Sequence, residues 1–148
     1  MAELELRRAC PEDADLVYRF LCELEQGLQT IDRVAFDRVY EYNVGRADVC
    51  YLLACMGETP VGLGTAHVQQ LLHHTGPVAE VQELIATQAA RGTGAGKALL
   101  AELERWAAGQ GCAQIELCCR LVREHANDFY ARQGYQATHY KRIKELSK

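Results

Sequence analysis

At 148 residues, about half of them apolar and with a net charge of −4, the chain suits one domain around one well-filled core. It has no apolar run of about 18 residues, which argues against a membrane-spanning helix, and its acidic balance argues against nucleic acid as a partner. The start, Met1 to Arg7, lacks a basic segment followed by an apolar stretch, so no secretory signal is expected. Seven cysteines, odd in number and without C-x-x-C spacing, read as free thiols of a reducing cytoplasm.

In chain order, Glu3 to Arg7 alternates like a strand. Pro11 marks a helix start with Glu12 and Asp13 in its first turn. Leu16, Val17, Phe20, Leu21 and Leu24 form that helix's apolar stripe, and Gly27 is placed to end it. A second helix is predicted over Ile31 to Tyr42, with Val34, Phe36, Val39 and Tyr40 as buried candidates. Val49 to Met56 reads as a strand, and Gly57-Glu58 as a hairpin turn into a strand from Val61 to Leu71. Val78 to Ala86 reads as the next strand. An amphipathic helix follows to about Ala108, with Leu99, Leu103 and Trp106 on one face. Gly109 and Gly111 bracket a turn, and Gln114 to Cys118 alternates as a strand. A short helix from Ala126 to Arg132 meets Gly134 as its C-cap, and Gln136 to Ile143 is predicted as a last strand. The expected order is β-α-α-β-β-β-α-β-α-β, an α/β (α+β) single domain over 1–148.

Between the fourth strand and the amphipathic helix lies Arg91-Gly92-Thr93-Gly94-Ala95-Gly96-Lys97. A glycine-rich turn opening a helix suits an anion, because free N–H groups and the helix dipole meet there. Spacing narrows the ligand. A Walker A loop would need glycine at Arg91 and a hydroxyl at Ala98, and a dinucleotide loop would need its third glycine at Lys97.

The element order with an Arg-x-x-Gly-x-Gly loop (Arg91, Gly94, Gly96) resembles the GNAT superfamily of N-acetyltransferases. A second signature of that superfamily is complete at Ala126, Phe129, Tyr130, Gly134 and Tyr135. Two positions depart from it: Arg123 stands where an asparagine is common, and Gln88 where a proline is usual. The run His67-Val68-Gln69, Leu72-His73-His74 and Glu80 to Leu84, with Cys22-Glu23-Leu24 and Phe129-Tyr130, resembles the aminoalkylphosphonate N-acetyltransferases within it.

The resemblance implies a mixed, mostly antiparallel sheet with helices on both faces. It implies acetyl-CoA as cosubstrate, its pyrophosphate on Arg91, Gly92, Thr93, Gly94, Ala95, Gly96 and Lys97, with Asn127 and Tyr130 also touching it. The backbone of Leu84, Ile85 and Ala86 would pair with the pantetheine arm, and an N–H near Ala86 would serve the oxyanion. Tyr130 is the candidate acid for the departing thiolate, since a phenol stays protonated at neutral pH.

The small-molecule amine acceptor must lose a proton, and Glu80 or Glu83 is the candidate base. Strict alternation puts Glu80 and Gln82 on one face and Glu83 on the other, and Glu80 is preferred for the acceptor side. His67, His73 and His74 have three readings: a polar strand end and turn, ligands of a divalent metal, or hydrogen-bond donors to a phosphonate. Arg38, Arg46 and Tyr40 are weaker acceptor-side candidates, and Lys141-Arg142 reads as a solvated strand end. The acceptor implied is a small anionic amine, an aminoalkylphosphonate. The alternatives are another amine (aminoglycoside, polyamine or protein N-terminus) or a non-catalytic acyl-CoA sensor. A homodimer through C-terminal strands also fits the resemblance.

Overall fold

The computed structural model describes residues 3–25 and 31–147, except for the side chains of 24 and 25; the expectations for Leu24 and Gly27 lie outside that description. Contacts divide the chain into two units, Met1–Glu116 and Leu117–Lys148. The first opens with β1 (Leu4–Arg8), a 3-10 turn (Pro11–Asp13), α1 (Ala14–Glu25) and α2 (Arg33–Asn43). It continues with β2 (Val49–Met56), β3 (Thr59–Leu71), β4 (Gly76–Ala86) and α3 (Ala95–Gly109), and reaches the start of β5 (Ile115–Leu117). The strands form a five-stranded sheet in the order β1-β2-β3-β4-β5, with β1 to β4 antiparallel neighbours. This mixed sheet with helices bears out the expected fold class.

Local chemistry sets the turns and the helix start. Met56 pairs with Thr59, so Gly57-Glu58 is a two-residue hairpin loop, and Gly57 takes the left-handed φ of 62° that such loops require. At the entry to α1, Asp13 accepts the Cys10 N–H at 2.9 Å and holds Arg7 in a two-pronged ion pair at 2.7 and 2.8 Å. Chiefly through Arg7, the Asp13 carboxyl is held well below the usual carboxylate range. A depressed folded-state pKa contributes stability above the unfolded value near 3.9, and that contribution is lost as pH falls through the folded value. Asp13→Ala is therefore expected to destabilise the protein by about 1–2 kcal/mol at pH 7. Denaturant melts should show that gap closing toward pH 2.

The two faces of the sheet are filled differently. On one, Leu53 and Leu63 pack with Val17 and Phe20 of α1 and Phe36 and Tyr40 of α2. On the other, α3 lies against β3 closely enough that glycine is needed: a Cβ on Gly62 would stand 2.9 Å from the Ile85 carbonyl oxygen and 3.0 Å from Leu99 Cδ1. Helices thus cover both faces. Leu99 and Leu103 are fully buried there, joined by Ala107 rather than by Trp106, which is half-buried.

Two expectations need correction. On α2 the buried stripe is Phe36, Tyr40 and Asn43, one i, i+4, i+7 line. Val34 and Val39 fall off that line and are 60% and 58% exposed. The last strand over Gln136 to Ile143 does not form. Among the described residues no sheet member follows β5, and a strand exists only by pairing its backbone; Tyr140 and Ile143 are exposed. The second unit instead carries α4 (Glu124–Arg132), closed by Gly134 at φ 92°.

Candidate active site

The decisive local feature is a bulge in β4. Thr65 pairs with Glu83, but its neighbour Ala66 pairs with Val81, leaving Gln82 as an extra residue. One extra residue inverts the alternation beyond it. Glu83 is the partner of Thr65 and Glu80 the partner of His67, and Thr65 and His67 lie two apart on β3. Both carboxylates therefore share the α1–α2 face, contrary to the alternation read from sequence, because that reading had no bulge.

On this face a cavity of about 90 Å³ is lined by Val17, Leu21, Phe36, Val39, Tyr40, Tyr51, Leu63, Thr65 and Glu83. Glu83 is the one acidic residue in that lining, which Glu80 does not join. Thr65 Oγ1 accepts the Glu83 N–H at 3.0 Å and donates its own proton to Glu83 Oε1. Tyr40 and Tyr51 stack at 5.7 Å, and Tyr51 meets the His67 ring edge-on at 6.4 Å. Burial pushes the Tyr51 phenol up; the Asn43 side chain opposes this and the nearby Glu83 charge reinforces it. A carboxylate walled by phenol rings is suited to an ammonium group.

The C-terminal end of β4 leads toward the loop. The Thr87 N–H donates to Val61 C=O at 2.8 Å, toward β3. Antiparallel alternation then turns the Leu84 and Ala86 N–H groups to the opposite edge and the Ile85 N–H toward β3. On that edge Ala79 N–H donates to Gln114 C=O at 3.3 Å, near the start of β4 rather than its end. Leu84 and Ala86 thus offer outward backbone groups, while Ile85 offers its side chain to the core around Leu63.

In the loop, Gly92 and Gly94 adopt φ of 80° and 81°, and a Cβ on either would meet nothing within 4 Å. Their glycines serve backbone conformation, not space. The N–H groups are not all on offer, as the sequence had suggested. Thr93 N–H is taken by Ala90 C=O at 3.0 Å and Ala95 N–H by Thr93 Oγ1 at 3.3 Å. Among the described residues no such partner takes the N–H groups of Gly92, Gly94, Gly96 and Lys97, which stand at the positive end of α3, an arrangement suited to an anion. Arg91 and Lys97 are exposed beside them.

In the second unit Tyr130 is half-buried, its ring 5.3 Å from Phe129 and 6.0 Å from Tyr135. Burial raises its phenol pKa, with the nearby Cys119 adding and Arg123 opposing. Asn127 is otherwise engaged: its amide donates to Arg120 C=O at 3.0 Å and Arg123 C=O at 2.8 Å, closing the turn before α4. Those donors are unavailable to a cofactor.

The three histidines are not brought together. His67 lies inside β3 opposite Glu80, whereas His73 and His74 sit in the exposed β3–β4 turn with rings 4.3 Å apart. Extended backbone advances about 3.3 Å per residue, so the turn lies well beyond reach of His67. Among the described residues no three His, Cys, Asp or Glu side chains gather as a metal site, and a divalent metal on this trio does not fit. Arg46 is held by Asp48 at 3.0 and 3.1 Å. Sequence reasoning passed over Thr65 and Tyr51. The signal for Thr65 was present, as the one polar side chain in the apolar run Val61 to Ala66.

A model of the Acetyltransferase (GNAT) family matches residues 15–135. The chain is 36% identical over 146 residues to an aminoalkylphosphonate N-acetyltransferase of Salmonella typhimurium, covering 99% of this chain and 94% of that one. Among solved structures, a transcriptional regulator from Bacillus halodurans superposes with a TM-score of 0.88 at 23% identity, covering 97% of this chain and 100% of that one. An aminoglycoside N-acetyltransferase in complex with CoA superposes with a TM-score of 0.87 at 14% identity, covering 99% and 96%. Both likenesses concern the fold. No helix among the described residues is long and apolar enough to cross a membrane.

Proposed function

The chain belongs to the GNAT family of acetyltransferases, and we propose that this N-acetyltransferase uses acetyl-CoA to acetylate the primary amine of a small aminoalkylphosphonate. The observation that carries the acceptor is the 36% identity, over 99% of the chain, to an enzyme of that name. The cavity, about 90 Å³ or the room of roughly three waters, suits the ammonium end of an acceptor whose remainder lies outside it.

In this reading residues 1–148 work as one acetyltransferase domain. The open N–H groups of Gly92, Gly94, Gly96 and Lys97, with the Arg91 and Lys97 charges, hold the pyrophosphate of acetyl-CoA. Outward backbone at Leu84 and Ala86 pairs with the pantetheine arm, and the Ala86 N–H faces the developing oxyanion. Glu83, rather than Glu80, takes the proton of the acceptor ammonium. The freed nitrogen attacks the thioester carbon, the C–S bond breaks, and the thiolate takes the Tyr130 proton. The nitrogen's surplus proton restores the phenol, and Glu83 releases its own to water, so one proton is lost per turnover. The seven free cysteines suit a reducing, cytoplasmic setting.

A second acceptor reading has its own observation. The cavity lining holds one carboxylate and three aromatic rings but no lysine or arginine, which also suits a polyamine. Thiol release from acetyl-CoA separates the two, measured with 2-aminoethylphosphonate, putrescine and an aminoglycoside. The highest kcat/KM is expected for the aminophosphonate. A preference for putrescine would overturn the phosphonate assignment, and tight acetyl-CoA binding with no turnover on any amine would overturn the enzyme reading of this site.

A further inference from the structure

Thr65 is 2% exposed, in a stretch of β3 where every residue from Val61 to Ala66 is buried. A hydroxyl there needs partners, and both come from one residue. At the register shift beside Thr65, the Glu83 main-chain N–H is satisfied at 3.0 Å by Thr65 Oγ1. The same oxygen sends its proton to Glu83 Oε1. One hydroxyl thus closes a ring through the backbone and the side chain of a single glutamate, using its donor and an acceptor lone pair.

We propose that Thr65 is a positioning residue, which fixes the Glu83 carboxylate for proton transfer from the acceptor's ammonium. The inference rests on Glu83 being the proton acceptor. A free glutamate side chain loses rotamer entropy when it is ordered. Here folding has already ordered it, so substrate binding need not. Valine has the same shape as threonine but neither donor nor acceptor. Serine keeps both.

The test is steady-state kinetics on the full chain with acetyl-CoA and 2-aminoethylphosphonate, or putrescine if that is the better acceptor. The variants are Thr65→Val, Thr65→Ser, Glu83→Gln and the double Thr65→Val/Glu83→Gln. Thr65→Val is expected to lower kcat about 10- to 100-fold with KM for acetyl-CoA unchanged, and Thr65→Ser to stay within about threefold of wild type. In the Glu83→Gln background, Thr65→Val should cost nothing further, because residues acting as a unit are not additive. A Thr65→Val rate at wild-type level, with Glu83→Gln impaired, overturns the positioning role and leaves the base intact. Glu83→Gln at wild-type rate instead overturns the base. The same Thr65→Val cost with or without Glu83 marks ordinary packing and overturns the proposal. If Thr65→Val does not fold, Thr65→Ala takes its place; equal rates for Ala and Ser then overturn the proposal.

Discussion

Replacing Glu83 by glutamine is expected to lower kcat by about two to four orders of magnitude near neutral pH, the usual range for a lost general base. Glutamine keeps the size and an oxygen that can accept the Thr65 hydroxyl proton, but it cannot take a proton from an ammonium. Affinity for acetyl-CoA should be nearly unchanged, because the proposed pyrophosphate and pantetheine contacts are main-chain groups of the loop and of β4 with the Arg91 and Lys97 charges, and none involves the Glu83 side chain. The deficit should shrink as pH rises toward the acceptor's own pKa, near 10 for a lysine-like amine. More acceptor then arrives already neutral and needs no base. Glu80→Gln is the control: its carboxylate is on the same face but outside the cavity lining, and about twofold effects are expected. A pH–rate series on both variants decides between them, and a large loss in Glu80→Gln with none in Glu83→Gln would reverse the assignment.

Tyr130→Phe is expected to cost about 100-fold in kcat with acetyl-CoA affinity nearly kept, since the ring stays and only the proton source is lost. Burial raises the Tyr130 phenol above its ordinary pKa near 10. A raised value keeps the phenol protonated below it, so its ionisation should impose no fall in the wild-type rate up to about pH 10. Single-turnover measurement with a poorer and a better thiol leaving group checks the role. The Phe variant should suffer most with the more basic thiolate. Equal losses with both would remove Tyr130 as the acid.

Much of this was legible locally. The Arg91–Lys97 loop is read from glycine positions alone, because left-handed backbone at Gly92 and Gly94 is a property of the residue type. The Ala126–Tyr135 signature marks α4 in the same way. Strand runs and helix starts also emerged near their observed bounds, since periodicity and caps are short-range. Reading failed where long-range pairing decides. A bulge depends on the partner strand, so nothing in Glu80 to Glu83 announces that Gln82 is supernumerary, and strict alternation therefore put the two carboxylates on opposite faces. The stretch from Gln136 to Ile143 has the composition of a strand but no pairing partner among the described residues.

The histidines make the same point from the other side. His67, His73 and His74 look clustered because they are near in sequence. Extended backbone separates His67 from the other two, whereas Thr65 and Glu83, eighteen positions apart, are joined by a hydrogen bond. Sequence by itself determined the family, the element order through α4 and the glycine-rich loop, because those reside in residue types at short spacing. Tertiary structure alone decided which carboxylate lines the cavity on the α1–α2 face and which hydroxyl bonds to it. Strand register is set by packing two faces at once, and no single strand encodes that.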